Sequence, residues 1–126
     1  MIKVLVTGDR NWTDINPIMR ELYSLPKDAI IIHGGARGVD SLAGLAAKQL
    51  GLEVRVYPAK WEIYGKSAGY IRNQEMLDAE EPDLVLAFHP DLSKSRGTKD
   101  MVNRAMLQGL PVKIITSAQP LTAVEK

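Results

Sequence analysis

The sequence has no cysteine, so it carries no disulfide framework, no thiolate metal site and no cysteine nucleophile. It also has no run of about 18 apolar residues, which excludes a membrane-spanning helix from these residues. The first residues form a strand-like run, without the apolar region and small-residue cleavage site of a signal peptide. These absences predict a cytoplasmic protein without a membrane partner.

An excess of charge of one sign is also missing. The formal net charge is +1, so the chain as a whole does not attract nucleic acid, and no nucleic-acid partner is expected. The two histidines, His33 and His89, have no further ligands at metal-site spacing, so no metal site is predicted. The glycines lack the spacing of the dinucleotide fingerprint and of the GxxxxGK[ST] phosphate-binding loop, so neither NAD nor ATP is predicted as a required cofactor.

What the sequence does contain is an alternation of strand-like and helical segments. Of its 126 residues, 45% are hydrophobic, which suffices for the core of one domain. Strand-like runs occur at 2–7, which is rich in β-branched residues, and at 29–33, 53–58, 83–89 and 111–116. Helical spacing of apolar residues occurs at 14–25, 39–51, 69–80 and 97–109. The remaining long connections, 59–68 and 89–96, are predicted as loops.

This alternation predicts an α/β fold with parallel strands joined by right-handed crossovers. We expect a single Rossmann-like doubly wound domain over residues 1–116, with a five-stranded parallel sheet in the order 3-2-1-4-5. The third strand is more polar and is expected near an edge. Residues 117–126 are predicted as a C-terminal tail. The last helix is expected to bury Met101, Val102, Ala105 and Met106.

Three glycine-containing loops follow strands 1, 2 and 4: TGDRNW, HGGARG and HPDLSKSRGT. In an open parallel sheet, ligands bind at the carboxyl ends of the strands where the order reverses, here between strands 1 and 4. Glycine lets the backbone approach a ligand, although Gly8 also fits a simple tight turn. The helix starts after Gly38 and Gly97 offer N–H groups to an anion. With an arginine in each loop, this pattern predicts binding of a phosphate or another anion.

The segment between strand 3 and the next helix adds aromatic and basic residues. Trp61 and Tyr70 either stack on a base or pack as part of a lid. Lys66 and Arg72 bring positive charge to the same edge of the sheet, and Asn73 lies beside Arg72 on the helix.

Other polar residues leave alternatives open. Asp40 either complements the dipole of its helix or accepts hydrogen bonds from ribose hydroxyls. His33 and His89 fit packing at strand ends, with His33 able to touch a ligand. A solvated charged face is expected for Lys99, Asp100, Arg104 and the pair Glu80–Glu81. The predicted ligand-binding residues are Gly8, Asp9, Arg10, His33, Gly34, Gly35, Ala36, Arg37, Gly38, Asp40, Trp61, Lys66, Gly69, Tyr70, Arg72, Asn73, Arg96, Gly97 and Thr98.

Four stretches, TGDRNWTD, HGGARGVDSLA, PAKWEIYGKSAGYIRNQEML and SRGTKDMV, occur in this order. They resemble the small SLOG-superfamily proteins related to YspA and YpsA, over about residues 2–116. The resemblance implies a Rossmann-like fold that binds nucleotides or nucleotide-derived ligands, and a bacterial or phage source. The superfamily also holds the LOG phosphoribohydrolases and the DprA DNA-processing proteins.

Two departures from the family pattern bear on the chemistry. The first loop of the family usually reads Gly-Ser-Arg, whereas this chain has Asp9 in the middle position. A carboxylate repels a phosphate, so Asp9 is expected to point away or to contact a sugar or a cation. LOG enzymes carry a catalytic glutamate where this chain has Met101, and a thioether cannot act as an acid or a base. Asp100, one position earlier, projects about 100° away around the helix.

The leading prediction is a module that senses or sequesters a nucleotide or nucleotide-derived ligand at the carboxyl edge of the sheet. One alternative is a nucleotide N-glycosidase of the LOG type, with Asp9, Asp40 or Asp100 as the catalytic carboxylate. A second alternative is a DNA-associated protein of the DprA kind, against which the net charge argues. The resemblance also implies a homo-oligomer.

Overall fold

The sheet has the predicted topology. The structure, a computed structural model, describes residues 1–117, so the predicted tail lies outside the described residues except for its first residue. All strand pairs are parallel, and the order is β3-β2-β1-β4-β5, which confirms the doubly wound α/β fold. The strands are β1 Lys3–Gly8, β2 Ile30–His33, β3 Glu53–Val56, β4 Leu84–Phe88 and β5 Val112–Ile115.

Helices connect successive strands, and one connection differs from the prediction. The helices are α1 Asn16–Tyr23, α2 Val39–Gln49, α3 Trp61–Tyr64, α4 Ala68–Glu80 and α5 Gly97–Leu107. The stretch 59–68, predicted as a loop, contains α3 and a 3₁₀ turn at Gly65–Ser67. No residue of α3 is buried, so this helix has no apolar stripe that the sequence could reveal. A 3₁₀ turn at Leu92–Lys94 likewise interrupts the predicted loop 89–96.

The core consists of two layers, one on each face of the sheet. Alternate residues of β1 enter different layers, because side chains of a strand point to opposite faces. Val4 and Val6 pack with α1 and α2, whereas Leu5 packs with α4 and α5. Met101 of α5 is fully buried in the second layer, but Met106, predicted to be buried, is exposed on the outer face of that helix.

The two edge strands are β3 and β5, which confirms the edge position predicted for the third strand. Both are short, and their burial patterns lack the continuous burial of β2. Glu80 departs from the predicted solvated face, because it is only 4% exposed at the end of α4. Within residues 1–117, no helix is long and apolar enough to cross a bilayer.

Candidate functional site

A cavity of about 470 Å³ lies at the carboxyl edge of the sheet. Its walls come from the loops after β1, β2 and β4 and from the segment around α3 and the start of α4. This is the reversal point between the neighbouring strands β1 and β4, and the volume is in the range of small-molecule sites. The predicted ligand-binding residues that line it are Gly8, Asp9, Arg10, Ala36, Asp40, Trp61, Lys66, Gly69, Tyr70, Arg72, Asn73, Arg96, Gly97 and Thr98.

Five predicted residues, from the end of β2 and the loop that follows it, lie off the wall of this cavity: His33, Gly34, Gly35, Arg37 and Gly38. Arg37 is exposed, and its Nη2 donates to Asn11 Oδ1 at 3.3 Å. His33 is buried behind the loop, where burial, with a smaller effect of Arg72, lowers its pKa. The loop therefore presents mainly Ala36 and Asp40 to the cavity.

Gly38 brings the loop after β2 against the loop after β1. Its φ is +74°, and a Cβ there would collide with the backbone of Asp9 and Arg10. The Asp9 carbonyl also accepts a hydrogen bond from Val39 N at 3.1 Å. The close approach at Gly38 is therefore between two parts of the chain itself, and it fixes the relative position of two walls of the cavity.

Gly34 makes room for the guanidinium group of Arg72, because a Cβ at residue 34 would overlap it. Arg72 Nη1 donates to the carbonyls of Gly34 and Tyr57, and its Nε donates to Asn73 Oδ1. Burial lowers the pKa of Arg72, against the influence of Asp40 and Glu75. Arg72 thus braces the ends of β2 and β3 against α4.

Asn73 extends this brace to α5. Its Nδ2 donates to the Gly97 carbonyl at 3.3 Å and to Asp100 Oδ2 at 3.0 Å. Asp100 also pairs with Arg104 Nε at 2.8 Å, and it does not line the cavity. Arg72 Nη2 makes no hydrogen bond within the described part of the chain, so this rigidly held group has two N–H donors left over.

Asp40 is the buried carboxyl of the cavity wall. Its Oδ2 accepts hydrogen bonds from the backbone N–H groups of Gly34 at 3.1 Å and Ala36 at 3.2 Å. Burial raises the pKa of Asp40 to about 6, although these bonds and Arg72 act in the opposite direction. Asp9, by contrast, accepts a hydrogen bond from Asn11 N at 3.0 Å and so closes its own turn.

Some of the N–H groups at the two helix starts already have partners in the chain. Ser95 Oγ accepts from the backbone of Thr98 at 3.0 Å and of Lys99 at 3.3 Å, which caps α5. Val39 N, at the start of α2, donates to Asp9 O. Gly97 N, on the cavity wall, makes no hydrogen bond within residues 1–117, so this N–H group and the side chains of the wall are available to an anion.

Four basic side chains surround the cavity opening, and we call them the cationic rim: Arg10, Lys66, Lys94 and Arg96. All four are exposed, and in residues 1–117 none of these side chains makes a hydrogen bond or an ion pair. Trp61, 58% exposed, and Tyr70, 36% exposed, add two aromatic rings to the same wall. Unpaired cations beside exposed rings suit a ligand with an anionic group and a flat ring.

A sequence profile of the YspA, cpYpsA-related SLOG family matches residues 2–64. The Gene 61 protein of Mycobacterium phage D29 is 36% identical over 121 residues, which cover 89% of this chain and 94% of the phage protein. This chain belongs to the YspA/YpsA-related SLOG family.

The fold of this chain is similar to that of a solved structure, DNA processing protein A (DprA) from Streptococcus pneumoniae. The TM-score is 0.51 and the sequence identity is 19%, with coverage of all of this chain and 62% of the DprA chain. At this identity the likeness shows the fold, which agrees with the family assignment.

In this SLOG chain, Met101, which the resemblance places at the position of the LOG glutamate, does not line the cavity. Met101 is fully buried with Leu5, Met76 and Val85 in the second core layer. A glutamate at this position would enter the second core layer, where its carboxylate would be buried among apolar side chains.

The cavity of this SLOG chain also has walls that the sequence analysis missed: Thr7, Asn11, His89, Lys94 and Ser95. Thr7 is the last residue before Gly8, and His89 directly follows β4, so both stand at strand ends beside the reversal point. The sequence held a signal for both residues. Thr7 directly precedes the predicted site residue Gly8, and His89 directly follows the last residue of β4. Lys94 was obscured because its loop contains several polar residues without periodicity.

Proposed function

We propose that this protein binds a nucleotide or nucleotide-derived ligand in the cavity between the ends of β1 and β4. The observation that carries the proposal is the cationic rim, whose four side chains remain unpaired within residues 1–117 beside Trp61 and Tyr70. Folding places these four cations on one cavity without a direct ion pair to any of them within residues 1–117, which favours an anionic ligand.

Arg72 strengthens this interpretation. Its three hydrogen bonds fix the guanidinium group before any ligand arrives, and Nη2 lies 3.9 Å from the position of a Cβ at Gly69. A donor held in this way loses little conformational entropy on binding. Membership of the SLOG family supports a nucleotide-related or DNA-processing role, and the pneumococcal protein with this fold is a DNA processing protein.

The test combines ligand identification with paired variants. Mass spectrometry of small molecules retained by the purified protein identifies the natural ligand, and calorimetry with nucleoside mono- and diphosphates measures affinity. We expect the double variant Lys66→Ala/Arg96→Ala to lose at least about tenfold in affinity, because charged hydrogen bonds are removed. Lys99→Ala is the matched control, since Lys99 is an exposed cation of α5 that does not line the cavity.

Two outcomes would overturn the proposal: no nucleotide binds to the wild type, or the double variant binds as tightly as Lys99→Ala. Raising the salt concentration should weaken binding to the wild type more than to the double variant, because screening acts on exposed charges. A labelled single-stranded oligonucleotide serves as a further probe. Binding to it in preference to nucleotides would favour a DNA-associated role.

A second candidate function is cleavage of an N-glycosidic bond with Asp40 as the general acid. The specific observation is a buried carboxyl on the cavity wall whose pKa burial raises to about 6, a value suited to acid–base catalysis near neutral pH. Asp9 is occupied in its own turn and Asp100 lies off the wall, so they fit this role less well. The assay is release of free base from nucleoside monophosphates, and Asp40→Asn should abolish it without loss of affinity.

A further inference from the structure

His33 and His89 end the strands on either side of β1 in the same local arrangement. Each Nδ1 accepts a hydrogen bond at 3.0 Å from the backbone N–H two residues later, at Gly35 and Asp91 respectively. Because Nδ1 is the acceptor in both rings, the ring proton is assigned to Nε2. His33 Nε2 packs on α2, 2.8 Å from the position of a Cβ at Gly44, whereas His89 lines the cavity.

On the cavity wall, the Nε2 donor of His89 is one of three buried neutral groups that have no partner within residues 1–117. Thr7 is 9% exposed, His89 is 8% exposed and Thr98 is 4% exposed, and all three line the cavity. Within residues 1–117, neither threonine hydroxyl makes a hydrogen bond, and His89 Nε2 makes none either. Buried polar groups in folded proteins nearly always have partners, so three such groups on one cavity wall, without a partner in the chain, suit a polar ligand.

The topology brings these groups to one place. Thr7 of β1 is in register with Ala87 of β4, and His89 follows two residues later, so both side chains point to the face covered by α4 and α5. Thr98 lies three residues before the buried Met101 and therefore on the inner face of α5. We call Thr7, His89 and Thr98 the neutral floor of the cavity.

We propose that the neutral floor is a subsite for the sugar hydroxyls of the ligand, while the cationic rim holds its phosphate. This inference rests on the proposed function and adds the orientation of the ligand, with the sugar inward. The floor offers one N–H donor and two hydroxyls that donate and accept, which complements sugar hydroxyls. Its three side chains carry no formal charge in this tautomer, so the countercharge for a phosphate lies at the cationic rim and at Arg72 Nη2 instead.

Ribose 5-phosphate and inorganic phosphate are the probes, because both carry a phosphate and only one carries a sugar. We expect the wild type to bind ribose 5-phosphate about tenfold more tightly than phosphate. Thr7→Val and Thr98→Val remove a hydroxyl at nearly constant shape and should reduce this preference severalfold, with phosphate binding unchanged. His89→Asn keeps an acceptor for Asp91 N but removes the Nε2 donor, and should act in the same direction.

The thermal stability of the ligand-free protein gives a second test of the neutral floor, which does not depend on the cationic rim. Replacing an unsatisfied buried hydroxyl by a methyl group should raise the thermal unfolding midpoint of free Thr98→Val and Thr7→Val. A lower midpoint for both would show that the hydroxyls have internal partners and would overturn the proposal.

Unchanged sugar preference in the valine variants, with binding still lost in Lys66→Ala/Arg96→Ala, would refute the floor and leave the proposed function standing. If the wild type binds neither probe and no nucleotide, both the proposed function and the floor fail. These results are distinguishable because the rim variants and the floor variants change different quantities.

Discussion

Two buried carboxyl groups of this protein, Glu80 and Asp40, have pKa values that shift in opposite directions. Burial acts to raise the pKa of Glu80, but hydrogen bonds from Tyr57 Oη and Arg55 Nη1, at 2.5 and 2.8 Å, outweigh it and lower the pKa. Lys3 Nζ adds an ion pair at 3.5 Å. Asp40 has two backbone N–H donors on one oxygen and no such cation within bonding distance in the described chain, so burial raises its pKa.

The difference separates a polar cluster that the fold completes from one that it leaves incomplete. Around Glu80, every charge that is buried meets an opposite charge or a hydroxyl donor, as a structural cluster requires. Around the cavity, the buried carboxyl and the cationic rim coexist without pairing, and the neutral floor lacks partners. The contrast favours a structural role for the first cluster and a ligand for the second.

The largest effect is expected where a buried carboxylate has neither the cations that surround Glu80 nor the backbone N–H donors of Asp40. Met101→Glu puts a charge beside Leu5 and Val85 in the second core layer. We expect a loss of more than about 4 kcal/mol in the free energy of unfolding, measured by urea denaturation, because the charge is buried without a partner.

Met101→Leu is the control for this substitution, and it should cost less than about 1.5 kcal/mol because volume is nearly conserved. A Met101→Glu variant that is as stable as Met101→Leu would contradict the burial of this position.

The fold was predictable because its signals are local and periodic. Five short apolar runs separated by helical patterns suffice for a parallel sheet, and the polar character of 53–58 indicated the edge. The helix α3 was missed because none of its residues is buried. Glu80 was misassigned to a solvated face, although it continues the buried stripe of Asn73, Met76 and Leu77 at spacings of three and four. Its burial depends on Arg55 and Tyr57, which are distant in sequence.

The sequence predicted the position of the site better than the roles of its individual residues. The glycine loops located the cavity, because parallel strands end at one edge. The task of Arg72, however, depends on the carbonyls of Gly34 and Tyr57, whose positions no sequence pattern shows. Likewise, the sequence pattern suggests that Gly38 lets the backbone approach a ligand. In the structure, Gly38 instead lies against the backbone of the loop after β1.

The raised pKa of Asp40 predicts the next largest effect. Its folded value is about 6 against 3.8 when unperturbed, so between these values the folded state binds the proton more strongly than the unfolded chain. Stability from this group is therefore present below about pH 4 and is lost as the pH rises through about 6, by an amount on the order of 3 kcal/mol.

Asp40→Asn should remove this pH dependence, since an amide oxygen still accepts from Gly34 and Ala36. Urea denaturation between pH 4 and 8 should show the variant gaining on the wild type as the pH rises. The control is Asp28→Asn, at an exposed position, which should follow the wild type. Parallel curves for all three proteins would mean that Asp40 is not buried as described.

Glu80 should show the opposite sign with a smaller effect. Its lowered pKa means that its contribution is present above the pKa of the unfolded chain and is lost as the pH falls through the folded value. Glu80→Gln should cost about 2 kcal/mol at pH 7, because charged hydrogen bonds to Tyr57 and Arg55 are lost, and much less in acid. The exposed Glu53→Gln, which also removes a partner of Arg55, should cost less than about 1 kcal/mol. Equal losses in the free energy of unfolding for Glu80→Gln and Glu53→Gln would show that the Glu80 hydrogen bonds do not stabilise the fold more than an exposed ion pair does.

The smallest effect on stability is expected at the cationic rim, and its smallness is informative. Lys66→Ala and Arg96→Ala remove exposed side chains that have no ion pair within residues 1–117, so each should change the free energy of unfolding by less than about 0.5 kcal/mol. At low salt the change should favour the variants, because each relieves repulsion within the rim, and added salt should erase the gain. Denaturation at two ionic strengths measures this. A clear loss of stability in either variant would show that the rim side chain has a structural partner in the folded protein. The rim would then support the fold as the Glu80 cluster does, and its charges would no longer favour a ligand.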